Sequence, residues 1–521
     1  NAIGTATTAS YNTAVGAGAL GASSSGHSNT AMGEDSLDAN TTASNNTAVG
    51  RDSLGANTTG GENTAVGYAA LAANTTASNN TAVGVNALLV NTTGASNVAV
   101  GYAALDENTT GAYNVAVGQG ALQSNTTADA NVAVGLNALY ENTTGTDNVA
   151  IGAGALDVNT TTSNLTAVGD NALGANTTGH NNTAVGSQAL AVCSTGTYNT
   201  AIGNYALDAS NASGCTAVGA NALGANTTGG SNTAVGQSAL AANTTGGDNI
   251  AIGLNALDAN TTSSYMVAMG INALGANTTG GNSVGIGWAA LNANTTGSDN
   301  VAVGASALGA CTTASNNTAV GRTSLSASTT GYNNTAVGYK ALELTTTGAG
   351  NSAFGYQAGD GITTGNYNVA LGYNCLSGTV TADGNTAVGN SVMVANTSGT
   401  LNTAVGAAAL DANTTGGYCT AIGAGALGGN TTASDNTAVG RDSLLANTTG
   451  SSNTAVGNNS LYSNTTASYN TALGKNSLLS STTASYNTAV GVNSLDAVTT
   501  GNSNVAVGYD ALGKNTTDVA N

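Results

Sequence analysis

Apolar residues return along this chain in fixed phase: a Val or Ile, a Leu five residues on, a polar Asn-Thr-Thr stretch, and the same again after 17 residues. The unit from Asn46 reads Asn-Thr-Ala-Val-Gly-Arg-Asp-Ser-Leu-Gly-Ala-Asn-Thr-Thr-Gly-Gly-Glu, and Asn63 restarts it. Numbered from place 1 to place 17, the consensus is Asn-[Thr/Val]-Ala-[Val/Ile]-Gly-x-x-[Ala/Ser]-Leu-x-Ala-Asn-Thr-Thr-[Gly/Ala]-x-x. Starts fall from Asn12 to Asn199, the unit at Asn199 lacks one residue, and the phase resumes from Cys215 to Asn521. A partial N-terminal coil, 1–11, thus precedes 30 repeats, 12–521, and residues 1–521 read as one continuous array.

A unit this short cannot hold the helix pair of a helical solenoid, and it has no heptads. Thr-Ala-Val at places 2 to 4 favours a strand, Gly at place 5 a bend, and Asn-Thr-Thr-Gly at places 12 to 15 a turn. The pattern predicts an all-β fold, a parallel β-solenoid or β-roll with one 17-residue repeat per coil, about 30 coils in an elongated rod. Each residue then stacks on its counterpart about 4.8 Å away. Like must tolerate like, which suits Asn and Thr ladders and disfavours columns of one charge.

Variation between repeats separates inside from outside. Place 6 takes Arg51, Arg322, Arg441, Lys475, Tyr68, Tyr102 and Trp288, and place 16 takes His27 and His180, so both are expected in solvent. Places 3 and 5 are nearly always Ala and Gly, while places 2 and 4 are Thr or Val and a bulky apolar residue. The Val of place 4, as Val49, is expected in the stacked interior. Restriction on both strand faces implies burial on both, and a thin coil has only one inside. A second chain is expected against the other face.

Only 6% of residues are charged, Pro is absent and the net charge is −19. Such bias is compatible with disorder, but a disordered chain has no reason to keep phase. Six scattered basic residues exclude charge-driven binding to nucleic acid or an anionic membrane. No apolar run is long enough to span a bilayer, and with no signal peptide or initiator Met the chain reads as part of a longer array. The five cysteines stand where small repeat residues usually stand: Cys193 and Cys311 at place 12, Cys215 and Cys419 at place 1, Cys375 at place 8. They read as free thiols, with a Cys193 to Cys215 disulfide as the alternative.

No Ser/His/Asp set, recurring carboxylate pair, phosphate loop or metal-spaced Cys/His cluster occurs, so no catalytic residue, metal ligand or cofactor site is assigned. The Asp residues at place 10 form too broken a row for a calcium ladder. Asn-Thr-Thr at Asn40, Asn57, Asn74, Asn91, Asn108, Asn125, Asn142, Asn176 and Asn226 is formally an N-glycosylation acceptor, weighed against a buried Asn ladder. Tyr102, Trp288, Tyr339, Tyr356, Tyr373 and Tyr509, all at place 6, are the candidate surface contacts.

Segments such as Asn131-Val132-Ala133-Val134-Gly135 and Asn249-Ile250-Ala251-Ile252-Gly253 resemble the head repeats of trimeric autotransporter adhesins, the YadA-like left-handed parallel β-roll, which also occur in phage tail fibres. The resemblance covers essentially the whole chain. It implies a homotrimer at a cell surface or in a virion fibre. The expected function is a non-catalytic structural segment of an extracellular fibre, shaft or head, with self as partner. The alternative is an adhesin head contacting host-surface glycans or matrix, and the third reading is a glycan-coated filament or an ice-binding solenoid.

Overall fold

A β-branched residue, an Ala and a second bulky apolar residue make one three-residue strand per repeat, which the Gly of place 5 ends. The computed structural model describes residues 8–514 and 516–517. Most of the partial coil (1–7), together with Asn515 and 518–521 of the last repeat, lies outside the described residues. Thirty strands and no helix make up the regular structure of the described residues. The contacts divide the chain into two units. Asn1–Ser264 carries β1 (Thr13–Val15) to β15 (Ile250–Ile252), and Tyr265–Asn521 carries β16 (Val267–Met269) to β30 (Val505–Val507).

Within each unit successive strands pair in parallel and in phase with the repeat. β3 (Thr47–Val49) lies on β4 (Thr64–Val66) with Thr47 opposite Thr64, Ala48 opposite Ala65 and Val49 opposite Val66. The turns are bonded upward as well: Leu54 N–H donates to Ala70 O at 3.0 Å, Ala56 to Ala72 at 2.9 Å and Thr58 to Thr75 at 2.9 Å. Backbone groups that a lone turn would leave to water are thereby satisfied by the next coil. Each unit is a β-solenoid of the expected period.

The interior of a coil is small and half polar. In the repeat from Asn46 the buried residues are Asn46, Ala48, Ser53, Leu54, Asn57 and Gly60. The Leu of place 9 supplies the largest buried side chains, as in Leu54, Leu71 and Leu88. Val49 is not among them. Side chains two apart on a strand share a face, so places 2 and 4 point together and place 3 points away. With Leu54 and two Asn already inside, only the Ala48 methyl fits there, and Val49 turns outward, partly exposed. The expectation of Val49 in the interior is corrected on that ground.

Three places per coil take the left-handed backbone region: Asp52 (φ 59°), Leu54 (φ 51°) and Glu62 (φ 62°) in this repeat. Asn tolerates that region better than most residues. Its frequency at place 7, as in Asn86, Asn137 and Asn171, follows. Gly50, at φ 132°, has a different reason: a Cβ there would run into the Gly67 carbonyl one coil on.

The missing residue falls within the Thr-Thr turn, where Asn211 stands alone between Ser210 and Ala212. Its side chain replaces the lost carbonyl. Asn211 Oδ1 accepts from Ser194 N–H (2.8 Å), Ser194 Oγ (2.9 Å) and Thr195 N–H (3.3 Å). Elsewhere the corresponding three donors converge on a main-chain oxygen, as Thr58 N–H, Thr58 Oγ1 and Thr59 N–H do on Thr75 O. The strands on either side, β12 (Thr200–Ile202) and β13 (Thr216–Val218), stay in register.

Candidate functional site

A buried amide must be hydrogen-bonded, and stacking identical amides one strand spacing apart solves this for every coil at once. Asn57 Nδ2 donates to Gly60 O in its own turn at 3.0 Å and to Asn40 Oδ1 at 3.3 Å. The place-12 ladder continues through Asn74 (2.8 Å), Asn91 (3.1 Å), Asn108 (2.9 Å), Asn125 (2.8 Å) and Asn142 (3.2 Å). Asn176 donates to Asn159 Oδ1, and Asn226 to Ser210 Oγ. A second ladder at place 1 has Asn63 N–H donating to Asn46 Oδ1 at 2.9 Å, while Asn46 Nδ2 donates to Gly60 O at 2.9 Å.

The nine candidate acceptors named above, and Asn159 of the same motif, all have 0% exposure. A glycan would be attached at the very nitrogen that does the donating. The folded chain therefore offers none of the nine as an exposed acceptor.

The cysteines occupy the same ladders. Cys215 Sγ donates to Gly229 O at 3.4 Å, as an Asn at place 1 would, and Cys193 Sγ reaches Gly196 O at 3.8 Å, as an Asn at place 12 would. All five thiols are free and buried. Burial pushes Cys193, Cys311, Cys375 and Cys419 up to about 11, so they stay protonated and unreactive at neutral pH. One thiol cannot do all that an amide does. Asn176 Oδ1, facing Cys193 in the next coil, receives no hydrogen bond.

The six candidate aromatics are all exposed, but they are not alike. Tyr102, Trp288 and Tyr509 stand without an aromatic neighbour at place 6 of the adjoining coils. Tyr339, Tyr356 and Tyr373 stack at centroid distances of 5.2 and 5.3 Å, so neighbouring rings partly cover one another's faces. Sequence reasoning missed a second stack at place 17, Tyr469 on Tyr486 at 5.1 Å, although the same residue type 17 apart was the signal for it.

Beside the Tyr column, Lys340 pairs with Glu343 at 2.9 Å, and Gln357 donates to Asp360 at 3.2 Å. Burial, and then the nearby Glu343, push the Asp360 carboxyl up to about 6. Burial likewise raises Asp106, Asp157, Asp208, Asp258 and Asp411, which share place 10. Among the described residues, no group of three or more His, Cys, Asp and Glu could hold a metal ion.

No family model matches this chain, and no curated protein matches it. The site must be read from its own geometry. Besides the aromatics, the outer strand face is a regular surface, with Thr or Val at place 2 and a bulky apolar residue at place 4 in nearly every coil. No Asp, Glu, Lys or Arg lies in any described strand. Met32, Ile151, Ile252, Met269, Phe354 and Leu371 on that face are each exposed.

Proposed function

We propose that this chain is a structural segment of an extracellular fibre, a shaft or head at a cell surface or on a virion, that does no catalysis and associates with copies of itself through its outer strand faces. One observation carries the reading. The two columns at places 2 and 4 are uncharged in every described strand and stay partly open to solvent, whereas places 6, 7, 16 and 17 vary freely. Exposed apolar surface this regular is costly in water and calls for a partner of the same period, which an identical chain supplies. Three-fold association follows the resemblance to trimeric adhesin heads.

The test is the mass of the purified chain in solution, by light scattering over a range of concentrations. A trimer is expected. A monomer at every concentration would overturn the association.

A second reading, contact with sugars or surfaces through exposed aromatics, is favoured by Trp288, which is 60% exposed and unstacked. A glycan array probed with the chain and with Trp288→Ala tests it, the variant losing whatever binding the parent shows.

A further inference from the structure

Both tyrosine stacks join residues at the same place of successive coils, so the ladder beneath sets their spacing. Gln357 N–H donates to Tyr339 O at 2.9 Å and Asn374 N–H to Tyr356 O at 3.0 Å, which locks the backbone under the place-6 column. The Tyr356 and Tyr373 rings are 7° from parallel and the Tyr469 and Tyr486 rings 9°, and all five phenols of the two stacks are exposed. Other exposed tyrosines lack such a neighbour: Tyr102 has Val85 and Gln119 at its place in the adjoining coils, and Tyr113 has Ser96 and Ala130.

We propose that Tyr339, Tyr356 and Tyr373, and the pair Tyr469 and Tyr486, are sites of oxidative cross-linking that staple successive coils as dityrosine. The co-reactant is a peroxide used by a one-electron oxidant such as a haem peroxidase. Two phenols each lose an electron and a proton. The two phenoxyl radicals join through a carbon–carbon bond between ring carbons ortho to the oxygens, and each ortho hydrogen shifts to oxygen to restore the phenol. The peroxide takes up the two electrons and two protons and leaves as two waters.

A phenoxyl radical formed in a stack meets its second phenol in its own chain, whereas one on Tyr102 must wait for another molecule. The link would be the only covalent tie between these coils besides the main chain, because all five cysteines are buried and free. This inference stands apart from the fibre reading and needs no oligomer.

The experiment treats dilute chain with a haem peroxidase and limiting hydrogen peroxide, then measures dityrosine fluorescence and maps linked peptides by mass spectrometry. Links from Tyr356 to Tyr339 or Tyr373, and from Tyr469 to Tyr486, are expected, each lacking two hydrogen atoms and confined to the monomer band of a denaturing gel. The double variant Tyr356→Phe with Tyr486→Phe keeps the stacked rings and should lose most of that signal. Tyr102→Phe with Tyr113→Phe should lose none. Equal fluorescence from the first variant and the parent, or links found only between chains, would overturn the proposal.

Discussion

A leucine held at φ 51°, as Leu54 is, sits in a region that costs an L-residue about 1–2 kcal/mol. Its complete burial returns about 1.5–3 kcal/mol, so packing wins and place 9 stays Leu rather than Gly. The same balance sets place 3. Ala48→Asp puts a charge in a space sized for a methyl, and about 3–5 kcal/mol of stability should go, whereas Val49→Asp, pointing outward, should shift the denaturation midpoint of the isolated chain far less. A larger loss for Val49→Asp than for Ala48→Asp would reverse inside and outside. Ladder completion gives a gain instead. Cys193→Asn supplies the donor that Asn176 Oδ1 lacks and an amide for Gly196 O, and should add about 1–2 kcal/mol in chemical denaturation. Asp360 adds a pH dependence. Its folded carboxyl titrates at about 6 against 3.8 for the ordinary group, so the folded state binds the proton more tightly. That contribution is complete in acid below the ordinary value and is lost as pH rises through the folded one. Asp360→Asn should therefore stabilise the fold at neutral pH by on the order of 1 kcal/mol for a partly solvated carboxyl, seen as a higher melting temperature, and change little in acid. A melting-temperature series across that range for both proteins checks the sign.

One coil is the smallest element here that means anything, because a strand of three residues with its turns satisfies its hydrogen bonds only against the next coil. The unit at Asn199 shows what the element tolerates. A turn residue can go if a side-chain oxygen takes over from the lost carbonyl, and Asn211 does so with three bonds. Asn211→Ala should cost only about 1 kcal/mol, since water reaches this turn, but amide exchange at Ser194 and Thr195 should quicken several-fold. Unchanged exchange there would show that Asn211 carries no such load. Coil length, strand position and parallel register were legible in the sequence because the period, the β-branched residues and the Gly of place 5 all express main-chain requirements. The direction of the strand was not. Thr-Ala-Val alternates faces plainly, but which face is inside depends on how little room the Leu of place 9 and two Asn leave, a matter of volume that the pattern does not contain. The Asn ladder was legible through its substitutes at place 12, Cys193 and Cys311, both small; the Asn211 repair was not, since one deletion reads alike wherever it falls in the turn. Of the candidate aromatics, the stack at Tyr339, Tyr356 and Tyr373 follows directly from the 17-residue period.

At the scale of the whole molecule, charge and apolar surface oppose one another. Net charge of −19 makes identical chains repel, while the strand faces, uncharged from β1 to β30, offer each unit a column of apolar side chains at place 4, beside Thr or Val at place 2, for a second copy. Repulsion among solvent-exposed charges is screened over about 10 Å at 0.1 M salt, whereas burial of Val, Ile and Leu is not weakened by salt. Self-association through the strand faces should therefore tighten as sodium chloride is added, and an assembly held by exposed ion pairs should loosen. The charged pairs present among the described residues are few and local, Arg51 with Asp52, Lys340 with Glu343 and Arg441 with Asp442, so they offer little for a second chain to use. The decisive variant changes the face without entering the core. Val15→Asp, Val49→Asp and Val83→Asp, on alternate coils so that no two carboxylates stack directly, place three charges on one face, each on an outward, exposed or partly exposed side chain. Far-ultraviolet circular dichroism should keep its β signature, while light scattering should show the mass falling to that of one chain, with high salt recovering only part of the assembly. A variant that stays assembled would move the interface to the variable corners, and the salt series on the parent chain would then be expected to run the other way.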